Sequence, residues 1–176
     1  AYELREILGK DHGITVIGEG DRFSFTPSNP WVAVGWRQHG EITLEADKHL
    51  SRKGIRFHPD GVAKIDAEAH RVQTGSGETL DYDYLLICTG PKLAFDEVPG
   101  SGPNGGHTQS ICTTPHAQSA WAAYQEFLKA PGPVVVGAMA GASCFGPAYE
   151  FAMILDADLR KRKLRDKVPM TFVTSE

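Results

Sequence analysis

Cys144 sits in a loop whose composition allows a ligand to approach closely. Residues 133–152 read Pro-Val-Val-Val-Gly-Ala-Met-Ala-Gly-Ala-Ser-Cys-Phe-Gly-Pro-Ala-Tyr-Glu-Phe-Ala. A β-branched run, a turn of small residues (Gly137 to Ser143) and a helix pattern form the frame of a dinucleotide-binding unit. In that frame the glycines let backbone meet a pyrophosphate. Here Met139 takes the middle glycine position and Ala142 the third. A thioether chain therefore stands where a phosphate needs bare backbone. Pro147 suits a first helical position, where its missing N–H costs nothing. Cys144 then lies just ahead of a helix N-terminus, where the dipole and unpaired N–H groups favour a thiolate. Two readings stay open on these residues alone. One is a nucleotide loop that has exchanged its nucleotide for a thiol; the other is a Rossmann-like turn around a small buried cysteine.

The other cysteines are Cys88 and Cys112. Their spacing excludes a Cys-x-x-Cys pair, and the odd total leaves a thiol free or paired outside the chain. Cys88 ends the run Leu85-Leu86-Ile87 and is expected as inert core inside a sheet. The seven histidines contain no His-x-x-x-His pair, which argues against a metal site. Glu19 follows the strand-like run Ile14-Thr15-Val16-Ile17. An acid after such a strand binds a ribose hydroxyl in nucleotide units. Glu19 is one residue late for that role, and a solvated turn acid is the alternative.

These groups need elements to position them. A helical stripe over residues 2–8 stops at Gly9. Residues 23–35 carry aromatics and two prolines without a period, and read as a structured loop. A helix is expected over 41–52, stopped by Gly54, then a strand from Ile55. The alternating runs 62–66, 71–74 and 79–84 predict an antiparallel meander. Residues 85–88 form an apolar strand. The Gly- and Pro-rich stretch 95–109 is expected as an exposed hinge. Helices follow over 115–129, capped by Thr114 with Pro115 at its first position, and over 149–163. The basic end of the second, Arg160 to Arg165, reads as a solvated helix terminus rather than a lipid contact. A strand over 170–174 closes the chain.

The fold class is α/β. It comprises Rossmann-like units with parallel sheets and an antiparallel three-strand meander, the first unit truncated. Residues 1–100 form a partial nucleotide-binding domain with the meander, 101–112 a connector, and 113–176 a partial second unit. An opening residue other than Met and a closing strand that feeds nothing imply a piece of a longer protein. The chain is 41% hydrophobic and 23% charged, ordinary for a soluble globular chain. Its net charge of −4 gives no reason to expect nucleic acid. No apolar run approaches the ~20 residues of a membrane span.

Four segments taken together carry a resemblance. They are Phe25-Thr26-Pro27-Ser28-Asn29-Pro30-Trp31, Cys88-Thr89-Gly90-Pro91-Lys92-Leu93, Gln109-Ser110-Ile111-Cys112-Thr113, and residues 137–150. With them the chain closely resembles the sulfide:quinone oxidoreductases, a group of two-dinucleotide-fold flavoproteins. The resemblance implies FAD as cofactor, sulfide and a quinone as substrates, and residues 1–100 as part of the FAD-binding domain. It places Asn29 and Pro30 by the isoalloxazine, and Thr89, Gly90 and Pro91 by the FAD phosphate and flavin walls. Cys144 would be the redox cysteine beside the flavin, and Cys112 a second cysteine whose role varies among members. The family's first Gly-x-Gly-x-x-Gly, its third functional cysteine, quinone pocket and membrane-binding helices have no match in these residues. The resemblance implies a peripheral membrane protein of a prokaryote, able to form a homo-oligomer. The isolated piece is expected to be soluble, inactive and poor at retaining FAD. Two related readings stay open: the flavoprotein subunit of a flavocytochrome c sulfide dehydrogenase, and a type II NADH dehydrogenase. Met139 and Tyr149 argue against the latter, because both crowd the place of a nicotinamide dinucleotide.

Overall fold

The computed structural model describes residues 1–142 and 144–175. Ser143, part of the small-residue turn, lies outside the described residues. Helix α1 (Tyr2–Leu8) ends at Gly9, and β1 (Thr15–Ile17) follows. Strand β2 (Arg22–Ser24) leads through a 3₁₀ turn at Thr26–Ser28 into a short helix, α2 (Asn29–Ala33). Pro30 favours that start because its fixed φ is helical and no N–H is needed there. Strand β3 (Thr43–Glu45) pairs with β2, and α3 (Ala46–Ser51) begins only after it. The helix expected from residue 41 thus starts at Ala46, because Thr43 and its neighbours are taken up by the strand pairing. Strand β4 (Arg56–His58) lies parallel to β1, with Thr15 opposite Arg56 and Ile17 opposite His58.

The expected meander forms as β5 (Val62–Asp66), β6 (Arg71–Thr74) and β7 (Thr79–Asp81), paired antiparallel in that order. Residues 85–88 correct the sequence reading. They form no strand, and Leu86 and Ile87 are about two-thirds exposed (64% and 66%). Apolar composition alone buries nothing without a neighbour, and among the described residues no strand pairs with this run. Helix α4 (Thr114–Phe127), β8 (Val134–Gly137), α5 (Gly146–Lys161) and β9 (Met170–Val173) complete the chain. Strands β8 and β9 are parallel, with Val134 opposite Met170 and Gly137 opposite Val173. Pro147 stands in the first turn of α5, as its sequence position requires.

The chain divides into two compact units, residues 1–23 with 43–92, and residues 24–42 with 93–176. The first holds the parallel pair β1–β4 and the meander, around Ile55 and Val72. In the second, Val34, Tyr124, Val136, Ile154, Leu155, Leu159 and Val168 form one buried cluster. Val32, Ala33, Ile42, Ala117 and Ala120 form another, where α2 lies on α4. Small alanines on α4 let the two backbones approach closely. Gly35 ends the α2 turn at a φ of +76°, and a Cβ there would strike the Trp121 ring at 2.5 Å. Only glycine meets both conditions.

The stretch 95–109 is exposed over most of its length, as its glycines and prolines suggest, and it carries bonds of its own. It is tied to itself: Ser101 Oγ donates to the Phe95 carbonyl at 2.8 Å, and the Gly102 N–H donates to Thr108 Oγ1 at 2.8 Å. The His107 N–H donates to the Gly100 carbonyl at 2.7 Å. Turn residues here build a compact loop of the second unit, because their backbone groups find partners within it.

Candidate functional site

In the second unit the sequence around Cys112 is held from several sides. Asn29, the first residue of α2, is fully buried. Its Nδ2 donates to the Ile111 carbonyl at 3.0 Å, and its Oδ1 accepts from the Thr114 hydroxyl at 3.1 Å. An amide side chain has both a donor and an acceptor, so one Asn satisfies a carbonyl and a hydroxyl together. The Cys112 N–H donates to Ser110 Oγ at 3.1 Å. Thr113 caps α4, its hydroxyl accepting from the His116 N–H at 3.3 Å. The cap is therefore Thr113 and not Thr114, whose hydroxyl instead faces Asn29. Between these fixed neighbours Cys112 is exposed.

Asn29 is itself fixed by what surrounds it. Arg37 donates to Ser28 Oγ at 2.5 Å and stacks over the Trp31 ring at 4.7 Å. Pro30 is buried beside Asn29.

Cys144 is exposed as well, so the reading of a small buried cysteine does not hold. Its setting differs from that of Cys112. The N-cap of α5 is Phe145, which makes no side-chain cap. The turn before it is held by backbone bonds, from the Ala138 N–H to the Val173 carbonyl and from the Ala142 N–H to the Met139 carbonyl, both 3.1 Å. Met139 is 48% exposed, so its side chain stands on the surface of this turn. Tyr149 is partly exposed one turn into α5 and stacks on Phe172 at 4.5 Å.

The far half of α5 is anchored by a buried carboxylate. Asp158 accepts from Trp36 Nε1 at 2.7 Å, from the Tyr124 hydroxyl at 2.7 Å and from Arg162 Nε at 2.5 Å. Burial, and then the Asp158 carboxylate, hold the Tyr124 phenol protonated well above the ordinary tyrosine range. The bond from Asp158 likewise raises the Arg162 guanidinium above its usual range. Two residues earlier, Arg160 and then Arg165 hold the Asp156 carboxyl below the usual carboxylate value. The three arginines of the basic run at this helix end are thus engaged with carboxylates of α5.

Glu19, Thr89, Gly90 and Pro91 belong to the first unit. Glu19 is exposed just beyond the carboxyl end of β1, in a bridge with Asp60. Thr89, Gly90 and Pro91 are exposed in irregular backbone. Cys88 before them is exposed too, which corrects the expectation of inert core; the run it ends has no pairing strand to cover it. Among the described residues no group of three or more His, Cys, Asp and Glu could hold a metal ion.

Sequence reasoning missed Asp158, Trp36, Thr113 and Ser110. A signal existed for Asp158: Ile154, Leu155 and Leu159 place it inside the apolar stripe of α5, and a charge there needs buried partners. For Ser110 no local pattern distinguishes it from a loop serine.

Comparison with known proteins agrees with this geometry. Sulfide-quinone reductase of Aquifex aeolicus (strain VF5) is 46% identical over 176 residues, 100% of this chain and 40% of that protein. The mitochondrial sulfide:quinone oxidoreductase of Dictyostelium discoideum is 29% identical over 177 residues, 98% of this chain and 38% of that protein. The X-ray structure of the Aquifex aeolicus sulfide:quinone oxidoreductase matches with a TM-score of 0.90, covering 99% of this chain and 40% of that one. The chain thus spans about 40% of the length of the first of these relatives. The model of the pyridine nucleotide-disulphide oxidoreductases matches residues 1–145. With its parallel strand pairs, its meander and its altered dinucleotide turn, the chain belongs to the pyridine nucleotide-disulphide oxidoreductase family.

Proposed function

We propose that the whole protein oxidises sulfide and passes the electrons through FAD to a quinone. One observation carries the reading: over its full length the chain is 46% identical to a sulfide-quinone reductase. The structure supports it with two exposed thiols, each just ahead of a helix in the second unit. Met139, exposed on the turn after β8, supports it further. That side chain occupies the approach a nicotinamide dinucleotide would need.

The first unit carries groups that fit a dinucleotide cofactor. The exposed Glu19 carboxylate stands past the carboxyl end of a parallel strand, where open α/β sheets bind ligands. It is the group to hold a ribose hydroxyl, and Thr89, Gly90 and Pro91 offer exposed backbone to the rest of the cofactor. FAD, when bound, supplies the two-electron acceptor. Each sulfide sulfur oxidised to the zero-valent state gives up two electrons, and the quinone takes up two electrons and two protons. Sulfide would attack the far sulfur of a disulfide in which Cys144 takes part; that sulfur takes up the sulfide as a persulfide as the old S–S bond breaks, Cys144 is the thiolate released, and bound FAD would accept the electron pair when thiolate and persulfide rejoin. Cys112 is the second thiol and has a supporting role. Among the described residues no helix is long and apolar enough to cross a membrane. A quinone and a membrane surface would meet parts of the protein beyond these residues.

The test is anaerobic titration of the full-length protein with sulfide, and separately with NADH, followed by flavin absorbance. Sulfide should bleach the flavin and NADH should not. Fast bleaching by NADH, with none by sulfide, overturns the reading.

A further inference from the structure

We propose that Asn29 is the positioning residue for Cys112, acting on the thiol through the backbone on both sides of it. The inference rests on the reading of Cys112 as a site thiol. Asn29 is fully buried, and both ends of its amide are used: one holds the Ile111 carbonyl before the cysteine, the other the Thr114 hydroxyl after it. Ser110 Oγ holds the Cys112 amide itself, and Thr113 is held by its cap on α4. Each residue from Ser110 to Thr114 except the cysteine therefore has a polar side chain or carbonyl engaged, and only the thiol is left exposed.

The partners of Asn29 lie 82 and 85 residues away in sequence, so the contact is purely tertiary. The support beneath it is rigid. Val32 and Ala33, on the same short helix, pack against Ala117 and Ala120 of α4, with Ile111 at the edge of that cluster. A buried amide that bridges two groups is also chemically particular. Aspartate would set a carboxylate against the Ile111 carbonyl, and leucine would leave both partners unsatisfied in a buried place. In either variant the backbone about Cys112 moves to recover hydrogen bonds, while Cys144, ahead of α5, has no bond to Asn29 or Thr114 to lose.

The experiment compares the two thiols in the full-length holoenzyme. Each variant is pulsed with N-ethylmaleimide and the labelled peptides are quantified by mass spectrometry. Asn29→Leu frees the backbone that holds an already exposed thiol and should raise the labelling rate of Cys112 by about two- to threefold, leaving Cys144 unchanged. Thr114→Val removes one of the two bonds and should give a smaller rise at Cys112 only. Thr114→Ser keeps the hydroxyl and should match the wild type. If Asn29→Leu does not fold, the two Thr114 variants still decide the matter. Equal labelling of Cys112 in Thr114→Val, Thr114→Ser and wild type overturns the proposal, as does a rise of the same size at both cysteines. Sulfide-dependent bleaching of the wild type is measured alongside. Its absence with the Cys112 effect intact refutes the proposed function and leaves the positioning role standing. The converse result refutes only the positioning role.

Discussion

The starts of α4 and α5 each follow an exposed cysteine, yet they are built in opposite ways. Helix α4 is fixed at its beginning by side chains from three places: the Thr113 cap, Ser110, and Asn29 reaching across from α2. Helix α5 has no side-chain cap at its beginning and is fixed near its end, where Asp158 gathers Trp36, Tyr124 and Arg162. Polar side chains hold the segment of Cys112, whereas Cys144 follows a turn of small residues that hydrogen-bonds through its backbone. The difference suits two roles. On the function proposed above, a thiol released to a small nucleophile gains from an open turn, and a supporting thiol gains from a fixed position.

The largest effect on this contrast comes from removing the anchor of α5. Asp158→Ala leaves an indole N–H, a phenol and a guanidinium without their common acceptor. It should cost about 3–5 kcal/mol, as breaking a buried pair does, measured by chemical denaturation. Native-state hydrogen exchange should show the loosening in the second half of α5 before it shows in the first turn of α4. Loosening of both helix starts together would mean that the two are not separately supported.

The next effect is at the other helix start. Thr113→Ala removes the side-chain cap of α4 and should cost about 1 kcal/mol. Alanine at Thr114 tests the assignment, since Thr114 does not cap and its hydroxyl serves Asn29. Loss of the His116 amide's protection from hydrogen exchange in Thr113→Ala, its return in Thr113→Ser and its persistence in Thr114→Ala identify the cap.

Neighbouring threonines are a fair measure of what the sequence made legible. Both are capping types, and only the tertiary bond to Asn29 separates them. The meander was readable because alternation of side chains is a local property of each strand. The start of α5 was readable because Pro147 has few other places to stand. Helix α2 does not show in the sequence, because a five-residue helix with Pro27 before it and Pro30 inside it has no period. The run 85–88 misled because burial depends on a partner strand, which composition does not report. Asn29 was singled out by resemblance, but its task was invisible, since its partners are more than 80 residues distant.

A smaller effect is a pH dependence at the α5 anchor. The Tyr124 phenol is held protonated above its ordinary range in the folded state. The stability it contributes is therefore whole below pH of about 10, the unfolded tyrosine value, and is lost as pH rises beyond it. In Tyr124→Phe that alkaline loss should be reduced, as followed by thermal melts across alkaline pH. Identical alkaline profiles would remove Tyr124 from the anchor. The smallest effect belongs to Cys88, which is exposed: Cys88→Ser should stay within about 0.5 kcal/mol of wild type in denaturation.

The most direct measurement is the anaerobic sulfide titration of full-length Cys144→Ala beside Cys112→Ala and wild type, followed by flavin absorbance and flavin content. The account predicts that all three retain flavin. Wild type should be bleached by sulfide, Cys112→Ala more slowly, and Cys144→Ala not at all. Bleaching of Cys144→Ala at the wild-type rate would contradict the assignment of Cys144 as the exchanging thiol.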